Sequence, residues 1–260
     1  MKQLIFFLLV VLLPLSVYSN GVETTQYGSP QEIISSHVLD SIEFKIYNAF
    51  VKDMMLQKSV EMSRISEDLL QLSKKTNTNI ISYWQGYLQF YQGIFYLQMK
   101  QNENAKNEID KGVDIVTGIR NKSSEDYALL SRLQSISLQF AGMKAMVLSK
   151  AMTENSQMAL DLDSENLRAN FVHGCNDFYT PEMYGGGKNA EKYLLKAISL
   201  PDQKTPNMFL PSWGKEEAYE MLIKLYIKKE DKDKASFYYK EAIALYPQNY
   251  MIRQLEKSIH

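Results

Sequence analysis

The sequence predicts an all-α protein, built as a solenoid of antiparallel helical hairpins. Apolar residues recur at three- and four-residue spacing through most of the 260 residues, which is the pattern of amphipathic helices. The chain has only 12 glycines and 7 prolines, and several of them form short clusters between these segments. Strand-like alternation of polar and apolar residues is nearly absent. Short turns must therefore join one helix directly to the next.

About eleven consecutive helices are predicted, with boundaries set by capping residues and turn residues. Ser29 can cap the first helix, Pro30 suits its first position, and Glu32 completes a capping box. The apolar stripe of this helix continues to Ile46. The other helices are predicted at residues 55–74, 79–100, 103–118, 124–149, 150–161, 166–178, 188–199, 215–229, 232–245 and 248–258.

The first nineteen residues have the three-part order of a secretory signal peptide. Lys2 precedes an apolar run over residues 4–15, and small residues lead to a predicted cleavage point after Ser19. A membrane-spanning helix needs about 20 apolar residues, so this run favours export over anchoring. We expect an exported protein, periplasmic or extracellular, without stable membrane insertion after the signal is removed. An uncleaved membrane anchor is the alternative.

The charge balance argues against a nucleic-acid-binding domain, and the cysteine content excludes an internal disulfide. The chain has 29 basic and 30 acidic residues, for a formal net charge of −1. This balance lacks the basic excess of a nucleic-acid-binding domain. Cys175 is the single cysteine, so no internal disulfide can form. Stability must come from buried apolar area.

The clearest repeated unit spans residues 216–249, which is 34 residues long. Small residues in its second half allow two helices to approach closely, aromatic residues fill the space between them, and a proline ends the second helix. These residues are Tyr219, Leu222, Tyr226, Ala235, Tyr239, Ala242 and Pro247. The unit resembles the tetratricopeptide repeat in spacing, with Ile223 where a small residue is usual.

Weaker units with the same pattern begin at Gly86, Leu133 and Leu167. We therefore divide the chain into a signal peptide at residues 1–19, amino-terminal helices at residues 20–85, and degenerate tetratricopeptide-like repeats at residues 86–260. The amino-terminal helices are either diverged repeats or a cap that shields the stack.

The resemblance implies a concave groove, lined by the first helix of each repeat, that holds a protein or peptide partner. Carried over by repeat position, the candidate groove residues are Tyr87, Phe90, Lys144, Arg168, Phe171, Phe178 and Lys224. The predicted function is that of a binding or scaffold protein. The alternative is a solute-binding or transport-accessory protein, which would need an apolar pocket between repeats.

No catalytic, cofactor or metal site is predicted. Cys175 and His173 are two residues apart on a predicted helix, where their side chains point in different directions. Gly185, Gly186, Gly187 and Lys188 lack the strand and the serine or threonine of a phosphate-binding loop. We interpret residues 180–188 as an inter-helix loop in which glycines permit unusual backbone angles. The chain is predicted not to be an enzyme.

Overall fold

The structure is a computed structural model that describes residues 37–76 and 78–259. This part of the chain contains twelve α-helices and no strand. The helices are α1 Ile42–Leu56, α2 Glu61–Lys75, α3 Asn79–Gln98, α4 Asn102–Thr117, α5 Ser124–Ser137, α6 Ala145–Leu162, α7 Leu167–Tyr179, α8 Ala190–Ser199, α9 Lys215–Lys228, α10 Lys232–Leu245, α11 Tyr250–Gln254 and α12 Glu256–Ile259. The predicted fold class is confirmed.

The first ten helices pair into five successive hairpins, and α11 and α12 pack on the last of them. The first helices of the hairpins, α1, α3, α5, α7 and α9, contact one another in sequence through the stack. They form the inner layer, and the second helices, α2, α4, α6, α8 and α10, lie outside it. This arrangement gives a helical solenoid with a concave inner face.

Small residues set the distance between the two helices of each hairpin. Ala105, Ala159, Ala197 and Ala242 lie in four different second helices and are fully buried. A Cβ added to Gly93 in α3 would lie 2.4 Å from a side-chain carbon of Ile109. Such close contacts allow the side chains of one helix to pack into the grooves of its partner.

Two buried or half-buried carboxylates join hairpin helices in a way that local sequence does not indicate. Asp53 in α1 is fully buried and accepts hydrogen bonds from the backbone N–H groups of Val60, Glu61 and Met62 at 2.9–3.0 Å. These groups open α2, where a helix has unpaired donors and favours negative charge. Asp177 in α7 accepts from the first N–H groups of α8 in the same way, at 2.7 and 2.8 Å.

The amino-terminal part differs from the predicted boundaries. The capping box at Ser29 and the predicted signal peptide lie outside the described residues. Within them, residues 37–41 form a turn, and α1 begins only at Ile42. The predicted division at residue 85 falls inside α3. The α1–α2 hairpin packs on α3, which fits both a diverged repeat and a cap.

The predicted helix at residues 124–149 is wrong. The α5 helix ends at Ser137, and two short 3-10 turns precede α6. Gly142 begins the second of these turns with φ of 50°, a left-handed conformation that interrupts a right-handed helix. The repeat register that begins at Leu133 is therefore wrong for the first helix. Ser131 is the buried small residue there, and its hydroxyl donates to the carbonyl oxygen of Met152 in α6 at 2.8 Å.

Among the described residues, no helix is both long enough and apolar enough to cross a bilayer.

Ala242→Glu should lower the free energy of unfolding by about 3 kcal/mol or more, because it buries a charge in the contact between α9 and α10. Ala244→Glu is the matched control, since Ala244 is exposed on the same helix and should change stability by less than about 0.5 kcal/mol. Urea unfolding measures both values. Equal stability of the two variants would contradict the packing described here.

Candidate binding groove

A single connection fills part of the concave face. Residues 200–214, here called the strap, link α8 to α9 and run across the inner helices. The indole N–H of Trp84 donates to the carbonyl oxygen of Phe209 at 2.9 Å. Glu43 in α1 accepts from the backbone N–H of Ser212 at 2.7 Å. Inner helices thus hold the strap by its backbone, and the strap connects the first hairpin to the last.

Trp213 is the main apolar anchor of the strap. Its side chain is 5% exposed, and its ring stacks on Tyr87 with 5.9 Å between ring centres. Phe171 packs against it edge-on at 6.2 Å. The indole N–H donates to the hydroxyl of Tyr83 at 2.8 Å. Its one polar group is therefore satisfied while the ring stays out of water.

Arg132 lies beside this anchor in an aromatic environment. Its guanidinium carbon is 4.3 Å from the centre of the Phe90 ring and 4.4 Å from the centre of a Trp213 ring. One guanidinium nitrogen is 3.3 Å from a carboxylate oxygen of Glu217 in α9. Burial lowers the pKa of Arg132, but Glu217 and Tyr91 outweigh that effect and the pKa is raised. The side chain therefore stays charged and links α5 to α9.

A buried ion pair between two inner helices lies next to the same region. Arg168 in α7 is 3% exposed, and its guanidinium donates to both carboxylate oxygens of Glu125 in α5 at 2.5 and 2.7 Å. A further N–H of Arg168 donates to the carbonyl oxygen of Trp213 at 3.0 Å. Arg168 is thus a structural residue that joins two inner helices to the strap.

The rest of the concave face is open and carries aromatic and charged side chains. We call it the open groove and define it by Tyr47, Phe178, Tyr179, Glu220 and Lys224. Tyr47 and Tyr179 are 50% and 66% exposed, whereas Phe178 is half-buried. Lys224 and Glu220 form an ion pair one helical turn apart on α9. Burial raises the pKa of Tyr179, and nearby Lys224 partly opposes this.

The structure separates the seven predicted groove residues into three groups. Tyr87, Phe90, Arg168 and Phe171 are all buried, at 1–7% exposure, and contact the strap or Arg132. Phe178 and Lys224 belong to the open groove. Lys144 lies in the turn between α5 and α6 and not on a first helix, because the register from Leu133 is wrong. That these residues contact a partner stays a prediction.

Sequence reasoning missed Arg132 and Trp213. With the third repeat starting at α5, Arg132 takes the ninth position of its first helix, which is a groove position. The interruption at Gly142 hid this register. No sequence pattern indicated Trp213, because its position in the inner face depends on contacts with helices more than forty residues away in the chain.

His173 and Cys175 do not form a catalytic pair. The ring of His173 contacts the hydroxyl of Ser156 at 3.0 Å and packs on Tyr193 at 4.5 Å, toward the outer helices. Cys175 lies on the groove side, and burial raises the pKa of its thiol. The thiol therefore stays protonated at neutral pH. Within residues 37–76 and 78–259, no three histidine, cysteine or carboxylate side chains are grouped to hold a metal ion.

The glycine-rich loop is a fixed turn at the end of α7. Gly185 and Gly187 have φ of 89° and 77°, which other residues rarely adopt. The N–H of Gly187 donates to the carbonyl oxygen of Asp177 at 2.8 Å. A Cβ on Gly186 would lie 2.0 Å from the carbonyl oxygen of Thr180. The structure therefore agrees with an inter-helix loop whose glycines are needed for its shape.

Comparison with known proteins agrees with this geometry. Residues 216–249 match the family model described as "Tetratricopeptide repeat". The match covers the α9–α10 hairpin, and the rest of the described chain repeats the same kind of helical hairpin. No curated protein sequence matches the chain significantly.

Two solved structures share this fold. A tetratricopeptide repeat protein of Thermus thermophilus, TTC0263, superposes with a TM-score of 0.54 at 15% identity, covering 82% of this chain and 98% of that one. The haemophore HusA of Porphyromonas gingivalis gives a TM-score of 0.51 at 19% identity, covering 70% of this chain and 94% of that one. At these identities the similarity concerns the fold.

Trp213→Ala should lower the free energy of unfolding by about 3–5 kcal/mol, because it leaves a cavity between α3 and α7 and releases the strap. Met208→Ala is the control in the same connection, since Met208 is 55% exposed and should cost less than about 0.5 kcal/mol. Chemical denaturation measures both. A Trp213→Ala variant as stable as the control would show that the strap does not anchor the inner face.

Gly186→Ala should destabilise the turn after α7, because its Cβ would meet backbone that cannot move as a side chain does. We expect a loss of about 1–3 kcal/mol. Lys188→Ala changes an exposed residue of the same loop and should be neutral. Thermal melting of the two variants decides the matter. A larger effect at Lys188 would contradict the structural role of Gly186.

Proposed function

We propose that this chain is an exported, non-enzymatic binding protein that holds an extended segment of a partner protein on the open groove. The observation that carries the proposal is the exposure of Tyr47 and Tyr179 on a concave face whose remaining part is closed by the strap. Aromatic side chains of this kind supply much of the binding energy at protein interfaces. Solenoids of this class offer concave surfaces for such partners.

The charges of the open groove support an extended peptide with both polar and apolar residues. Glu220 and Lys224 lie on one helix and neutralise each other in the free protein. A partner that offers its own charges could pair with either of them at the rim. Phe178 and Tyr179 form an apolar surface beside the pair, with their ring centres 4.9 Å apart.

The strap also shows how side chains of this inner face bind a non-helical segment of chain. Side chains of Glu43, Trp84 and Arg168 pair with its backbone groups. Recognition through the backbone tolerates different side-chain sequences, whereas aromatic contacts such as those of Trp213 select among them. We propose that the open groove binds its partner by the same combination.

Export to the periplasm or the extracellular space is part of the proposal, and the order of residues 1–19 supports it. Amino-terminal sequencing of the exported protein tests this part. We expect a mature chain that begins at Asn20, and an intact Met1 would contradict it.

An apolar solute pocket has no support in the described residues. The aromatic residues that would line it, such as Tyr87, Phe90 and Trp213, pack against one another and against Arg132. An open cleft of about 650 Å³ lies between α6 and α8 on the outer side. Its lining combines four charged residues, Asp161, Glu165, Lys192 and Lys196, with Leu160, Tyr193 and Leu195, and it opens to solvent outside the inner layer.

The test selects peptides from a random display library on the immobilised full chain and measures their affinity for variants. Tyr179→Ala and Lys224→Glu should each weaken binding at least about tenfold, which corresponds to about 1.4 kcal/mol for an interface residue that contributes strongly. Tyr179 is exposed, so its change should alter the melting temperature little. Lys224→Glu places two carboxylates one helical turn apart and should lower the melting temperature somewhat, so its affinity is measured where the variant is folded.

Phe237→Ala is the matched control, because Phe237 is an equally exposed aromatic residue on α10, outside the inner layer. It should leave peptide affinity unchanged. Peptides that bind with full affinity to both groove variants would show that the partner site lies elsewhere.

A further inference from the structure

The two edges of the solenoid differ in composition. Each hairpin has one turn from its first to its second helix, and these turns fall on the same edge of the stack because successive hairpins pack in the same sense. We call this side the turn edge. The connections between hairpins lie on the opposite edge. One of these reads Asp163, Ser164, Glu165 and Asn166 and is strongly polar.

The first four turns of the turn edge each carry a methionine and a lysine. The methionines are Met55, Met99, Met143 and Met183, and the lysines are Lys58, Lys100, Lys144 and Lys188. Met55, Met143 and Met183 are at least 80% exposed, whereas Met99 is partly buried against the core. All four lysines are exposed. Glu182 is the acidic residue among these turns, so their combined charge is positive.

The third and fourth turns add further apolar side chains beside these pairs. Met146 and Val147 open α6 and are 80% and 74% exposed, and Tyr184 next to Met183 is 70% exposed. Isolated exposed apolar residues need no explanation, but several on neighbouring turns form a patch that marks an interaction surface. Because α5 packs on α7, the two turns are adjacent in the stack.

The conformation of the fourth turn is fixed although its apolar side chains face solvent. Asp177 accepts from the N–H groups of Asn189 and Ala190, and the N–H of Gly187 donates to the carbonyl oxygen of Asp177. The backbone of this turn is thus ordered before binding. Docking of Met183 and Tyr184 therefore costs little backbone conformational entropy.

We propose that the turn edge docks on an anionic lipid bilayer surface, with its exposed apolar side chains entering the interfacial layer. The exposed apolar side chains lie in the turns or in the adjoining helix ends, as in Met143, Met183 and Met146, which suits insertion between lipid headgroups. Flanking lysines supply the second signal that stable membrane association needs, because they attract anionic headgroups. The surface is distinct from the open groove, so a docked protein keeps its concave face available.

The test places an environment-sensitive fluorophore on single cysteines introduced into the full chain with Cys175→Ser. Met143→Cys and Met183→Cys should report insertion, and Met208→Cys, which is exposed on the strap, is the control. A probe at these turns is needed because the apolar residues 4–15 of the full chain can bind lipid themselves. Vesicles contain phosphatidylglycerol in phosphatidylcholine, or phosphatidylcholine alone.

We expect the probes at positions 143 and 183 to gain at least about twofold in fluorescence on anionic vesicles, with a blue shift, and the probe at position 208 to stay unchanged. Lys58, Lys100, Lys144 and Lys188 changed together to glutamine should weaken this response at least about tenfold in lipid concentration, since each lysine near an anionic surface contributes to attraction. Exposed lysines can be replaced with little effect on melting temperature.

Three outcomes would overturn the proposal. The first is no fluorescence change at either turn, and the second is an equal change at position 208. The third is a change that appears without vesicles at high protein concentration, which would assign the patch to self-association. None of these outcomes depends on peptide binding, so the groove proposal would stand or fall separately.

Discussion

The burial of Trp213 is the contact on which the inner face depends. It brings a non-helical connection into a space that the first helices would otherwise leave open, and it places an indole ring between Tyr87, Phe171 and the guanidinium of Arg132. Arg132 can be buried there because aromatic faces and Glu217 compensate for lost hydration. The ring and the guanidinium therefore stabilise each other's burial, and they determine which part of the concave face stays open.

The parts of the fold that follow from local pattern could be predicted from the sequence. Ala235 and Ala242 sit at the small positions of a repeat and are fully buried, and Tyr226 fills the space between the same two helices. These residues obey helical periodicity within one hairpin, so spacing alone places them. The glycines of the loop after α7 were also interpreted correctly, because positive φ is a local property.

The parts that depend on distant contacts could not be predicted. Nothing in the local sequence marks Asp53, yet it is fully buried and caps the next helix. Three candidate groove residues, Tyr87, Arg168 and Phe171, lie against the strap. Repeat position gives the direction of a side chain and says nothing about what covers it. One left-handed glycine, Gly142, shifted the third repeat register and moved the prediction from Arg132 to Lys144. Groove positions are thus only as reliable as the helix boundaries that define them.

The strap also reduces the part of the concave face that a partner can contact. In an open solenoid every first helix can contact a partner, so affinity can be spread along the whole groove. Here Glu43 holds Ser212, Arg168 holds Trp213, and the amino-terminal half of the inner face is used for internal packing. A partner is left with Tyr47 on α1 and with the carboxy-terminal part of the face, where Glu220 and Lys224 already neutralise each other. Charge can then select a partner only after that pair opens, so aromatic contact with Phe178 and Tyr179 must supply most of the affinity.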